Sequence, residues 1–379
     1  MNLEHRVGPG TLRSLGEFVT ARNVRRILLV AGGTSFIASG ARQVLGECLP
    51  ASLRVARFTV MHANVLLEDV ERGLVCHRDL SPDMVLAIGG GRVIDCAKAI
   101  HVLSAQPASP RAVTEGRAAI EVPPVGDLVA VPTTAGSGSE ATRFATVYLN
   151  GVKHSLDHRW LRPVLAIVDA ELCASMPPGL TAVTGMDALC QAIESYWSVR
   201  ATTQSRQLAA AAMQGVLGHL RSAVHDGDQV SRTAMSEAAC LAGCAIDMTR
   251  TTAAHALSYP LTMRLGIPHG HAVALTLPAF VRLNAQPGGR AVNLPGGGET
   301  LAATLSQLWG LLGCDGASEA AAMLGDLMRD IGLATTLREY TLSATQRDQL
   351  AGEVNAERLD NNPVRVSAAD VRAVLQALC

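Results

Sequence analysis

Four side chains in this sequence have the types and spacing to hold a metal ion: Asp187, Gln191, His255 and His269. Asp187 and Gln191 stand at i and i+4, so on a helix both leave one face. His255 and His269 follow, fourteen residues apart, in Ala254-His255-Ala256-Leu257-Ser258-Tyr259 and Ile267-Pro268-His269-Gly270. Taken singly, each histidine reads more readily as a hydrogen-bonded core or surface group, and Asp187 as a charge near a helix start. Taken together, one carboxylate, two imidazoles and a weaker amide oxygen suit a divalent ion such as Fe²⁺ or Zn²⁺.

A second constellation points to a dinucleotide. Ile88-Gly89-Gly90-Gly91-Arg92 follows an apolar run and opens a helical pattern that carries Asp95. Glycines let backbone approach a pyrophosphate, and the following helix N-terminus offers free N–H groups. A glycine triplet alone also serves a tight strand-to-helix turn. Support comes from Pro132-Thr133-Thr134-Ala135-Gly136-Ser137-Gly138-Ser139-Glu140, a loop dense in hydroxyls after another apolar run. Loops that end neighbouring parallel strands are where α/β sheets bind ligands. A metal and a dinucleotide in one chain point to carbonyl reduction.

The elements that must position these residues change character along the chain. Short apolar runs at 27–31, 55–60, 84–88 and 128–131 alternate with helical patterns at 34–48, 66–76 and 93–103. That alternation predicts a parallel sheet covered on both faces. From Pro177-Pro178 onward the texture is Ala/Leu-rich and helical, as at 182–197, 205–224, 232–247 and 301–312. The expected organisation is an α/β dinucleotide-binding domain over 1–175 and an all-helical metal- and substrate-binding domain over 176–379.

Composition narrows the function classes. The chain has 379 residues with a formal net charge of −1, is 48% hydrophobic and takes its positive charge almost wholly from arginine. Nothing in that balance suggests a nucleic-acid or membrane-surface partner. The nine cysteines are scattered without a CxxC pair, and Cys240 and Cys244 read as small buried residues on one helix face. Unpatterned thiols and a polar N-terminus without a signal-peptide stretch give a cytoplasmic expectation. No apolar run is long enough to span a bilayer.

These motifs, in this order, resemble the iron-containing (group III) alcohol dehydrogenases over most of the chain, most densely from Gly89 to Pro278. The carriers are Gly89-Gly90-Gly91-Arg92-Val93-Ile94-Asp95, the stretch Val131 to Glu140, Asp187-Ala188-Leu189, His255 and Pro268-His269-Gly270. The resemblance implies a Rossmann-like domain and a helical domain in the dehydroquinate synthase-like arrangement, an active site between them, and a homodimer. It implies cofactor contacts at Gly32, Gly33, Asn64, Gly89, Gly90, Gly91, Asp95, Thr133, Thr134, Ser137, Ser139, Thr142 and Lys153. Metal ligands would be Asp187, Gln191, His255 and His269, with Tyr259 or His271 as proton donor. Where the family pattern has histidine, this chain has Gln191 and Tyr259, so a weaker metal site is expected.

Further stretches resemble the branch of that family acting on phosphonate aldehydes: Arg143 to Val147, Lys153-His154-Ser155, Gln191 to Ser198 and His255 to Thr262. The expected reaction is reduction of phosphonoacetaldehyde to 2-hydroxyethylphosphonate. Phosphonopyruvate or another small aldehyde are alternatives within the family. A dehydroquinate-synthase-like lyase or cyclase, and an inactive nucleotide-binding protein, are alternatives outside it. Arg143, Lys153, His154 and Arg159 are the cationic candidates for the phosphonate. The run 27–31 ends in Gly32-Gly33-Thr34-Ser35 with no acid for a ribose 2′-hydroxyl, which favours NADPH over NADH.

Overall fold

The computed structural model describes residues 3–62, 64–354 and 356–379. The chain divides into two compact units, residues 1–176 and 177–379, against an expected break after 175.

The first unit is built on a six-stranded parallel sheet of β1 (Glu4–Val7), β2 (Arg26–Gly32), β3 (Arg54–Val60), β4 (Met84–Gly89), β5 (Asp127–Pro132) and a last strand, Leu165–Val168. A separate antiparallel hairpin joins β6 (Phe144–Leu149) to β7 (Val152–Asp157), so Leu165–Val168 is β8. Sheet order is β1-β8-β5-β4-β2-β3, with every neighbouring pair parallel. Its helices are α1 (Leu15–Ala21), α2 (Ser35–Ala38), α3 (Ala41–Cys48), α4 (Leu67–Leu80), α5 (Gly91–Leu103) and α6 (Pro110–Thr114).

The apolar runs are continuous because both sheet faces are covered. Ile27, Leu29, Met84, Leu86, Val129 and Val131 face one core with Leu15, Phe18 and Leu45. Leu28, Val30, Val85, Ala87, Leu128 and Ala130 face the other, with Val70, Ile94 and Ala97 of α4 and α5. β2 leads to β3 on one side and lies beside β4 on the other, so the chain changes direction between β2 and β4. Their C-terminal ends carry Gly32-Gly33 and Gly89-Gly90.

Two expectations need correction. The helix expected over 34–48 is two helices, broken at Gly40, whose φ of 79° is left-handed. The hairpin β6–β7 was not anticipated, although its turn, Asn150-Gly151 with φ of 51° and 76°, is a strong two-residue hairpin signal.

The second unit is helical: α7 (Pro178–Trp197), α8 (Thr203–His225), α9 (Gln229–Thr249), α10 (Ala253–Leu265), α11 (His269–Ala285), α12 (Gly297–Leu312), α13 (Ala317–Asp330), α14 (Ala344–Gly352), α15 (Ala356–Asp360) and α16 (Ala368–Leu378). α7 is buried along nearly its whole length from Thr181 to Trp197, as a helix surrounded by others must be. No described helix is long and apolar enough to cross a membrane.

Candidate active site

α7 brings Asp187, Gln191 and Glu194 to one face at i, i+4 and i+7, all buried. α10 presents His255 from its first turn. α11 begins at His269, with Pro268 as its N-cap at φ −53°. Gly270 lets this helix start press against α7: a Cβ there would lie 2.1 Å from the Val183 carbonyl oxygen and 2.9 Å from Asp187 Cβ. As a result His255 Nε2 lies 3.3 Å and His269 Nε2 4.0 Å from Asp187 Oδ1. One ligand atom from each of the three falls within 4.8 Å of the others. Tyr259, one turn beyond His255, stacks flat on His269 with ring centroids 5.5 Å apart and planes 6° apart.

Glu194 is the functional residue that sequence reasoning missed. It is fully buried and accepts from Thr252 Oγ1 at 2.7 Å, Ala254 N at 2.8 Å and His255 N at 3.3 Å. Its other oxygen pairs with His255 Nδ1. Nδ1–H donates to the Glu194 carboxylate, which orients the ring and turns Nε2 toward Asp187. Trp197 Nε1 donates to Thr252 Oγ1 at 3.0 Å, locking the threonine that serves Glu194. The available signal was its position, two helical turns after Asp187.

The electrostatics describe a site made for positive charge. Burial pushes the His255 imidazolium down, but the Glu194 and Asp187 charges and hydrogen bonds outweigh it and raise the group to about 10. Burial pushes the Asp187 and Glu194 carboxyls up, and their contacts with histidine win, so both are lowered. Asp187 and the convergent His255 and His269 nitrogens form a donor set that fits a divalent Fe²⁺ or Zn²⁺ ion, with Glu194 behind His255. Gln191 is buried within hydrogen-bonding reach of Asp187.

His271 does not join this group. It lies two residues along α11 from His269, on another face, and its Nε2 meets the Ala334 carbonyl oxygen at 2.7 Å. His271 is thus engaged outside the Asp187, His255 and His269 cluster, whereas Tyr259 lies against it.

In the first unit, Gly89 ends β4, Gly90 is the N-cap of α5 and Gly91 is its first residue. The Thr133–Ser139 loop leaves β5 beside them, with Thr133 N donating to the Gly89 carbonyl oxygen at 3.1 Å. A Cβ at Gly91 would meet Ser137 Oγ at 2.5 Å, so the two loops close on each other only over glycine. Thr133 Oγ1 is buried without a hydrogen-bond partner among the described residues. A helix N-terminus, bare glycine backbone and an unspent hydroxyl suit a pyrophosphate. Gly32, Gly33 and Asn64 lie at or just beyond the same ends of β2 and β3.

Three of the expected cofactor contacts also hold the loop. Asp95 accepts from Ser139 Oγ at 2.5 Å and Thr146 N at 2.9 Å, which occupies both carboxylate oxygens. Thr142 is buried; its carbonyl and hydroxyl oxygens accept from Lys98 Nζ at 2.7 and 3.0 Å. Asp95, Ser139 and Thr142 therefore each anchor the loop. Of the cationic candidates, Arg143 lies 3.0 Å from Asp157 and is neutralised by it. Arg159 stacks on Trp160 at 5.3 Å. Lys153 and His154 sit on β7, opposite Tyr148 and Val147.

A doubly wound parallel sheet with a glycine cradle, joined in one chain to a helical unit with a buried carboxylate–imidazole site, defines a metal-dependent, dinucleotide-linked oxidoreductase. Comparison with known proteins narrows that class. The iron-containing alcohol dehydrogenase model matches residues 4–170, and the C-terminal model of the Fe-containing alcohol dehydrogenase family matches 181–379. The chain belongs to the iron-containing alcohol dehydrogenase family.

Among its relatives, the phosphonoacetaldehyde reductase of Streptomyces viridochromogenes is 40% identical over 232 residues, 58% of each chain. The long-chain-alcohol dehydrogenase 1 of Geobacillus thermodenitrificans is 30% identical over 98% of this chain and 94% of its own. The crystal structure of sulfoacetaldehyde reductase from Bifidobacterium kashiwanohense, in complex with NAD⁺, superposes with a TM-score of 0.88. It is 30% identical and covers 99% of this chain and 96% of that one. Family membership removes the lyase or cyclase alternative.

Proposed function

We propose that the chain reduces a small aldehyde carrying a tetrahedral oxyanion, with phosphonoacetaldehyde as the leading substrate and 2-hydroxyethylphosphonate as the product. The reductase reading is carried by the convergence of Asp187, His255 and His269 with Glu194 behind them. The substrate reading is supported by two similar proteins whose names refer to two-carbon aldehydes bearing a phosphonate or a sulfonate.

Asp187, His255, His269 and Gln191 would hold a divalent ion, which would supply Lewis-acid polarisation, and the Gly89–Gly91 cradle would hold a nicotinamide dinucleotide, which would supply the hydride. The chain's own residues do the rest. Glu194 accepts the His255 Nδ1–H and orients the ring so that Nε2, on losing its proton to solvent as an ion binds, would present its lone pair. Asp187 balances the charge from inside the helical unit. Tyr259, held flat on His269, donates its phenolic proton to the product oxygen. The α5 N-terminus and the Thr133–Ser137 hydroxyls bind and orient the pyrophosphate.

The test is a steady-state comparison of phosphonoacetaldehyde, sulfoacetaldehyde and propanal, each with NADH and NADPH. Phosphonoacetaldehyde should have the highest kcat/KM. Equal efficiency with propanal would remove the oxyanion from the reading and leave the reductase. A clear preference for sulfoacetaldehyde would move the substrate from phosphonate to sulfonate.

A further inference from the structure

α9 ends at Thr249 and α10 starts at Ala253, so Arg250, Thr251 and Thr252 alone redirect the chain between them. Arg250 does so at φ 61° and ψ 177°, a conformation that is nearly confined to glycine. An arginine keeps such a backbone only where its surroundings fix it from several sides. Here they do. Asn361, buried just past α15, donates from Nδ2 to the Thr249 carbonyl oxygen at 2.9 Å and to that of Thr251 at 3.0 Å. It thereby holds the residues on both sides of Arg250. Its Oδ1 accepts from Ser198 Oγ at 2.9 Å, and its own carbonyl oxygen accepts from Val199 N at 3.1 Å. Both contacts tie it to the end of α7. Two N–H donors and an acceptor on one short planar group are what only an asparagine offers at this place. Arg358 Nη1 adds a bond to Thr251 Oγ1 at 3.1 Å.

The residue delivered by this turn is Thr252. Its hydroxyl and the Ala254 and His255 N–H groups must all face Glu194 at once. A turn that relaxed to ordinary backbone at Arg250 would swing the start of α10 away from that carboxylate. We propose that Asn361 is a positioning residue for the metal site. It holds the strained turn at Arg250, and through Thr252 and Glu194 that turn sets the direction of the His255 ring. The inference rests on the reading above that Asp187, His255 and His269 hold the ion.

The experiment measures calorimetric Zn²⁺ Kd values on the full-length apoprotein, with Tm recorded alongside. Asn361→Ala should weaken Zn²⁺ binding about tenfold, at the lower end for groups that orient a metal-binding histidine. Adding Arg250→Gly should restore the wild-type Kd, because glycine takes the same backbone unaided. Ser198→Ala removes the hydroxyl that orients the Asn361 amide. It should loosen the site by a smaller factor, again reversed by Arg250→Gly, and it carries the test if Asn361→Ala does not fold. A lowered Tm with an unchanged Kd in these variants makes Asn361 purely structural and overturns the inference, leaving the metal reading intact. So does a loosened site that Arg250→Gly fails to restore. Absence of stoichiometric Zn²⁺ binding in wild type overturns both.

Discussion

His255 and His101 are both buried histidines, one in each unit, and the fold drives them in opposite directions. His101, on α5, is lowered to about 3 because burial is uncompensated and His77 adds to the effect. Its Nδ1 has no hydrogen-bond partner among the described residues. His255, equally buried, is raised to about 10 because Glu194 and Asp187 outweigh the same burial. Burial therefore does not mark a working histidine here. Carboxylates brought from elsewhere in the chain do.

The largest effect expected from this contrast is on metal content. His255→Ala should abolish stoichiometric binding of a divalent ion and reduce kcat/KM by at least about 100-fold, about 2.7 kcal/mol of transition-state stabilisation. His101→Leu should leave metal content unchanged. Elemental analysis with kinetics reads both, and a fully loaded His255→Ala protein would break the contrast.

Next in size is Glu194→Gln, which keeps the shape and removes the charge behind His255. Affinity of the apoprotein for Zn²⁺ should fall about 10- to 100-fold, as for other partners of metal-binding histidines, with circular dichroism unchanged. An unaltered Kd would mean that Glu194 serves only to start α10.

The acid side of the comparison is thermodynamic. His101 stays neutral in the fold, while the unfolded chain takes up a proton near 6.5. Its contribution to stability is thus fully present above about pH 6.5 and is lost as pH falls toward about 3. Over that window wild type should lose about 1.4 kcal/mol per pH unit relative to His101→Leu. Parallel urea-denaturation curves at pH 6.5 and pH 4.5 would show that His101 is not held neutral. The smallest effect is expected for Gln191→His, which should tighten Zn²⁺ binding because imidazole is the better donor. A looser site would place Gln191 outside the ligand set.

The parts of the fold legible in the sequence were those whose pattern is local. Arg26–Gly32 and Met84–Gly89 are buried on both faces, so their apolar runs could be read directly. β1, with Glu4, His5 and Arg6, is a polar edge strand and carries no such run. Asp187, His255 and His269 were legible from residue type and spacing. Glu194 was not, because its partner arrives on another helix, 61 residues along the chain. The anchoring contacts of Asp95, Ser139 and Thr142 were hidden for the same reason: polar side chains near a ligand loop look alike until their hydrogen bonds are traced to one another.

The sequence contains two lysines, Lys98 and Lys153. Lys98 is wholly buried in α5, its ammonium held by the Thr142 carbonyl and hydroxyl oxygens and the Phe144 carbonyl oxygen. Lys153 stands on the hairpin, half-buried. An amine-directed reagent applied to the native enzyme should therefore modify the peptide containing Lys153 and spare the one containing Lys98. Acylation of Lys98 requires the loop from Thr142 to Phe144 to let go. The mass of that single peptide, followed over time, becomes a clock for local opening beside the nucleotide cradle.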